Sequence, residues 1–157
     1  MEVSRRYENP ALTVDAVWIR SGKVLLVRRG KPPFRGYWAF PGGFVELRET
    51  VEEALVRELR EETGLSGHPV EIVGVYSGPD RDPRKPTTTV AFLVGGRVGK
   101  PVGHDDAASA AWVPLHEAHP MAFDHERILE DACRLSRSRS RRRGPKRTRA
   151  SPRPGHR

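Results

Sequence analysis

Residues 50–64 read Thr-Val-Glu-Glu-Ala-Leu-Val-Arg-Glu-Leu-Arg-Glu-Glu-Thr-Gly, and few folds can accommodate what that stretch demands. Thr50 followed three positions on by Glu53 is a capping box, which satisfies two backbone N–H groups at a helix start. Gly64 supplies the left-handed residue that ends a helix. At about 100° per residue, Val51, Ala54, Leu55 and Leu59 form one apolar stripe. Glu58 and Glu62 fall inside that stripe, and Glu61 lies at its edge. Glu58 stands at i,i+3 from Glu61 and i,i+4 from Glu62, where like charges repel. An inward face adds a desolvation cost. A hard cation among the carboxylates resolves the conflict, because Mg²⁺ and Mn²⁺ prefer oxygen ligands. A Glu-rich run by itself reads as a solvated helix face. Here the charges sit on the apolar side, and Pro41-Gly42-Gly43 precedes the helix, where glycine lets backbone approach a ligand closely.

The wider spacing is more specific. Gly43, then Glu49, then Arg57-Glu58, Leu59, Arg60, Glu61-Glu62, Thr63, Gly64 and Leu65 resembles the Nudix box at every fixed position. The resemblance implies an α/β fold, a Nudix-type α/β/α sandwich with a mixed sheet between helices. It covers roughly residues 10–135, so the expected division is a hydrolase domain over 1–135 and a basic, disordered tail over 136–157. It also implies hydrolysis of a nucleoside diphosphate linked to another moiety, with Mg²⁺ or Mn²⁺ as cofactor. In that reading Glu58, Glu61 and Glu62 are metal ligands, and the Gly42 carbonyl is a further one. Arg57 and Glu49 support them from behind, and Arg57 can pair with Glu61 one turn on. The general base stays open: Glu58 is one candidate, and Asp105 and Asp106, in the loop before Trp112, are others, as base or extra ligand. Turn chemistry explains an Asp-Asp pair equally well.

The chain in order supports such a fold. Leu12–Ile19 and Lys23–Val27 read as strands joined at Ser21-Gly22, a hairpin. Pro32-Pro33 and Gly36 mark a loop. Tyr37–Phe40 is a short apolar strand running into the glycine turn. Val70–Tyr76, Thr87–Val94 and Ala110–Val113 read as further strands, and Pro114–Ala118 as a helical turn. A second helix follows Ala122–His125, with Ile128, Leu129, Ala132 and Leu135 on one face. Two helices against a mixed sheet make a layered α/β domain.

Arg28, Arg35, Arg81 and Arg84 lie in or beside loops and are candidates to grip substrate phosphates, since guanidinium matches phosphate in a two-pronged contact. Solvated surface is the ordinary alternative for each. Trp18, Trp38 and Trp112 fall on strand patterns and read as core. Tyr76 or Phe34 could stack on a base, and His125 could be a site residue or simply open a helix beside Asp124. Outside the box, PFRGYWAFPGGFVE, GVYSGPDRDPR and GHDDAASAAWVPLHE resemble the ADP-ribose pyrophosphatase branch. That implies ADP-ribose plus water giving AMP and ribose 5-phosphate, and a homodimer.

The charge is uneven. The chain has 28 basic and 20 acidic residues, a net of +8. Residues 134–157 hold ten Arg, one Lys and no acid, so residues 1–133 carry 17 basic against 20 acidic, a net of −3. The cationic end is low in complexity and binds phosphate polymers by counterion release. It lacks Phe, Tyr and Trp for base stacking. An alternative reading is therefore a Nudix-scaffold protein that binds nucleic acid or processes RNA ends through the Arg-rich tail. The single Cys133 excludes an intrachain disulfide and a multi-cysteine zinc site. No apolar run approaches a membrane span, and MEVSRRYENP lacks the apolar core of a signal peptide, so the expected setting is cytoplasmic.

Overall fold

The computed structural model describes residues 8–103 and 107–144. Strand β1 spans Ala11–Val17 and β2 Ile19–Arg20. Ser21 and Gly22 take φ of 49° and 73°, the paired left-handed residues of a tight hairpin, and return the chain into β3, Lys23–Arg29. Short β4 (Trp38–Ala39) and β5 (Gly42–Phe44) lead to helix α1, Val51–Thr63. Then come β6 (Gly67–Tyr76), β7 (Thr87–Gly96), β8 (Ala107–Pro114), a 3₁₀ turn over Leu115–Glu117, and helix α2, His125–Arg143.

The expected mixed sheet between helices is present, and the strands divide into two four-stranded sheets. One runs β5-β1-β7-β6, with β1 parallel to β7 and antiparallel pairing at both ends. The other gathers β2, β4 and β8 antiparallel around β3. The expected strand over residues 12–19 breaks at Trp18, whose carbonyl accepts from Leu25 N–H at 3.0 Å.

Period-2 alternation builds two cores. Val14, Ala16, Trp18, Leu25, Phe92 and Val94 pack with Ala54, Leu55 and Leu59 of α1. Their neighbours Val17, Val24, Leu26, Ala91 and Leu93 point the other way and pack with Ile128, Leu129 and Ala132 of α2. The helices therefore cover opposite faces of the sheets, as a sandwich requires. Trp18 and Trp112 meet edge to face at 5.4 Å within the first core.

The tail boundary expected at residue 135 is moved. Helix α2 continues to Arg143 and ends at Gly144, φ 62°. Leu135 packs against the core, Arg139 pairs with Glu71 of β6, and Arg is a good helix former. Among the described residues no helix is long and apolar enough to cross a membrane.

Candidate active site

Local signals fix α1 in place. Thr50 Oγ1 accepts from Glu53 N–H at 3.1 Å, and Glu53 Oε2 accepts from Thr50 N–H at 2.8 Å. Gly64, φ 72°, donates its N–H to Arg60 O at 2.8 Å. With both ends set, Glu58 and Glu62 lie one turn apart and face β5. Gly42 N–H donates to Glu62 Oε2 at 3.0 Å. A Cβ placed on Gly43 would sit 2.5 Å from the Glu58 carboxyl carbon, so glycine is what permits the approach.

Both carboxylates are half-buried. Burial raises the Glu62 carboxyl to about 8, against the Gly42 hydrogen bond and with the charges of Glu58 and Asp15 adding to the rise. Burial also raises Glu58, although Arg57 works in the opposite direction. Arg57 organises the neighbouring acids. Its Nε and Nη2 donate to Glu49 at 3.0 and 2.5 Å. Its Nη1 donates to Glu58 at 2.8 Å and Glu61 at 3.2 Å, and Nη2 also reaches Phe44 O at 3.1 Å. These contacts hold Glu49 down at about 2 and raise Arg57 above its ordinary value.

The glycine turn borders a cleft of about 400 Å³. Glu46, Arg57, Glu58 and Glu62 line it with Asp15 and His125. Asp15 is buried, and its Oδ2 accepts from Thr89 Oγ1 at 2.6 Å. His125 Nδ1 accepts from Phe40 N–H at 3.2 Å, and Nε2 faces Asp15 Oδ1 at 3.4 Å. Burial lowers the His125 pKa, so the ring is neutral and Nε2 carries the proton toward Asp15. Cations also line the cleft: Arg28, Arg29, Lys31, Arg81 and Arg84. Arg84 and Lys85 sit over the Phe44 ring at 5.7 and 4.8 Å, and Arg29 sits over Phe123 at 4.9 Å.

The sequence expectations fare unevenly. Glu58, Glu62, Gly42, Arg57 and Glu49 come together. Glu61 is exposed, turns to Arg57 and does not line the cleft. Among the described residues no three His, Cys, Asp or Glu side chains are already gathered as a ligand set. The donors are nonetheless hard oxygens crowded at one end of the cleft, and a divalent cation would offset the repulsion and burial cost they carry. Arg28 lines the cleft, donates to Gly36 O at 3.0 Å and lies 4.2 Å over Trp38. Arg35 is exposed and stands outside the lining, because Gly36 (φ 84°) turns the chain there. Arg81 holds Asp124 in a two-pronged pair at 2.9 and 2.6 Å, which keeps its charge despite burial. Asp124 consequently makes no side-chain cap for α2. Arg84 pairs with the buried Asp82. Asp105 and Asp106 lie outside the described residues. Tyr76 is no base platform: it is buried and its hydroxyl donates to Asp131 at 2.7 Å. Asp15 was missed, and its signal was a lone acid within an otherwise apolar strand.

The family model for the NUDIX domain matches residues 9–132. The chain is 45% identical over 130 residues to an ADP-ribose pyrophosphatase of Methanocaldococcus jannaschii, covering 83% of this chain and 77% of that protein. The solved NUDIX domain of Shewanella oneidensis NrtR, complexed with ADP ribose, superposes with a TM-score of 0.75 at 30% identity, covering 83% and 90% of the two chains. A bifunctional NMN adenylyltransferase/ADP ribose pyrophosphatase of Francisella tularensis, complexed with AMP and a Mn ion, gives a TM-score of 0.69 at 29% identity. The match covers 82% of this chain but only 42% of that longer one.

Proposed function

The chain belongs to the NUDIX domain family, and from that premise we propose that it hydrolyses ADP-ribose to AMP and ribose 5-phosphate with the help of Mg²⁺ or Mn²⁺. The observation that carries the proposal is the desolvated pair Glu58 and Glu62 held against Gly42 and Gly43. Two half-buried carboxylates at a glycine turn serve no packing purpose, and they suit a site that gathers divalent cations beside a phosphoanhydride. The 45% identity to an ADP-ribose pyrophosphatase supports the choice of substrate.

In this reading Glu58 and Glu62 would hold the cation, and Glu61 and the Gly42 carbonyl would be its further ligands. A cation bound there would neutralise phosphate charge and acidify water. Arg57 fixes the rotamers of Glu58 and Glu61 through its hydrogen bonds, and Glu49 fixes Arg57. Arg28 and Arg84 supply positive charge along the cleft for the diphosphate. The rings of Phe44 and Phe123 offer apolar surface at the same cleft. Water adds to one phosphorus, the bridging P–O bond breaks, and the water proton passes to a carboxylate. Glu58, Asp105 and Asp106 are the candidates for that base.

Purified protein with Mg²⁺ is offered ADP-ribose, NADH, dinucleoside polyphosphates and oxidised nucleotides, with products separated by chromatography. ADP-ribose is expected to turn over best and to give AMP. If it ranks among the poorest substrates, the substrate assignment is wrong. If metal leaves every rate unchanged, the reaction class is wrong.

A further inference from the structure

Beyond the hydrolytic cleft, the distal half of α2 presents a row of guanidinium groups. Between residues 134 and 143 the sequence places six arginines and no acid. Arg134, Arg137, Ser138, Arg141 and Arg142 follow one helical stripe and line an open concavity of about 500 Å³. This stripe belongs to the fold, since Leu135 packs on the core and Arg139 pairs with Glu71. Arg134 pairs with Asp131 and Arg137 Nε donates to Cys133 O at 3.3 Å. Among the described residues no carboxylate lies within ion-pair distance of Arg141, Arg142 or Arg143.

Helix packing does not ask for this pattern. Along this stripe Arg134–Arg137 and Arg137–Arg141 are like-charge neighbours at three or four residues' spacing, and each pair repels. Cations near a helix C-terminus do complement its dipole, but that effect is confined to the last turn. Arg134 and Arg137 lie further back. A partner with anionic groups repeating along its length relieves every one of these repulsions. We propose that this face of α2 binds the sugar-phosphate backbone of nucleic acid, without reading its sequence.

The chemistry favours that partner over an anionic membrane. Residues 136–144 contain no apolar side chain, so nothing there inserts among lipid chains. Guanidinium groups pair phosphate in two-pronged fashion and release counterions from a polyanion. The concavity shares no lining residue with the cleft. Arg141 stands 16 residues beyond His125 on the same helix (141 minus 125), roughly 24 Å along its axis. Nucleic acid held there leaves the cleft open. A row already held on the helix has little freedom left to lose on binding. Its guanidinium groups should therefore carry most of the salt-dependent affinity.

The test compares three full-length proteins by fluorescence anisotropy on a labelled DNA duplex of about 20 base pairs, between about 50 and 200 mM salt. The wild type is expected to lose roughly 10²-fold or more in affinity across that range. R137Q/R141Q/R142Q should lower the salt slope by about 2 to 3, at roughly 0.9 per phosphate contact removed. K146Q/R147Q/R149Q removes the same charge beyond the helix and should lower it by less than half as much. R137K/R141K/R142K should keep the slope. ADP-ribose turnover and thermal melting of the R137Q/R141Q/R142Q protein should match wild type, which shows that the fold is intact. Equal loss in the two neutralised proteins would overturn the assignment to the helix face. Binding weaker than about 100 μM for wild type at low salt, or tighter binding to vesicles with about 30% phosphatidylserine than to the duplex, would overturn the choice of partner.

Discussion

Two adjacent glycines should give opposite results when each becomes alanine. Gly43 lies outside the left-handed region, so alanine fits its backbone. The three heavy atoms nearest a Cβ there all belong to the Glu58 carboxylate, with Cδ and Oε1 at 2.5 Å. That is the free end of a flexible side chain, which must retreat by roughly 1 Å to reach ordinary contact. Stability should change by less than about 1 kcal/mol, partly offset by the stiffer unfolded chain. On a chain of this size that moves Tm by no more than about 4 °C. A 1 Å displacement at a reacting centre costs on the order of 10²-fold, so Gly43→Ala should lower kcat by about that factor. At Gly42 the Cβ would sit 2.1 Å from the Val14 carbonyl oxygen and 3.1 Å from Asp15 Cα. Those are backbone atoms of the paired strand, which must separate. Gly42→Ala should therefore cost about 3 kcal/mol or more and lower Tm by roughly 6–12 °C. The assay is turnover of ADP-ribose with Mg²⁺ beside thermal unfolding followed by circular dichroism. Wild-type kcat in Gly43→Ala, or equal losses of Tm in the two proteins, would refute the reasoning.

Three further outcomes follow from the same geometry. Glu62→Gln should abolish most turnover yet remain folded, because Gln still accepts from Gly42 N–H. Its folded carboxyl is raised from 4.5 to about 8, so its stabilising share is complete below pH 4.5 and is lost as pH rises toward 8; metal-free wild type should lose Tm over that window relative to Glu62→Gln. Arg57→Ala and Arg57→Lys should both lower kcat by roughly 10- to 100-fold, since a single ammonium cannot serve Glu49, Glu58, Glu61 and Phe44 O together; a fully active Lys variant would show that charge alone suffices. Thr50→Ala should cost about 1 kcal/mol, roughly 2–4 °C in Tm, with kcat nearly unchanged, and a large kcat loss without unfolding would give Thr50 another role.

Legibility in the sequence follows the range of the interactions. The capping box and the Gly64 stop act over three or four residues, and the helical period alone puts Glu58 and Glu62 on the inner face, so α1 could be read directly. Its partner in the site could not. Asp15 and Thr89 are 74 residues apart and His125 and Phe40 are 85 apart, and no local pattern encodes either contact. Composition identified Arg81 as a cation but not its carboxylate partner, since Asp124 lies 43 residues from Arg81. The same limit shifted the end of α2. Arg-Ser repeats look disordered by composition, while the Glu71 that pairs with Arg139 stands 68 residues away in β6.

The long-range contacts explain why the turn can serve as a reference for the acids. Phe40 N–H is held by His125, the Pro41 carbonyl by Ala16 N–H at 2.8 Å, and Gly42 N–H by Glu62. The peptide group 39–40 is thus fixed from α2, and the peptide group 41–42 from β1 and α1 at once. The acids then divide by their neighbours. Arg57 reaches Glu49, Glu58 and Glu61, so part of their charge is balanced before any cation arrives. Glu62 has no guanidinium within ion-pair distance among the described residues; burial and the charges of Glu58 and Asp15 act against its ionised form, while the Gly42 N–H and the more distant Arg29 charge favour it. If the acids gather a divalent cation as proposed, the Gly42–Glu62 contact is where it would offset the largest burial cost, with the Arg57 network holding Glu49, Glu58 and Glu61 beside it.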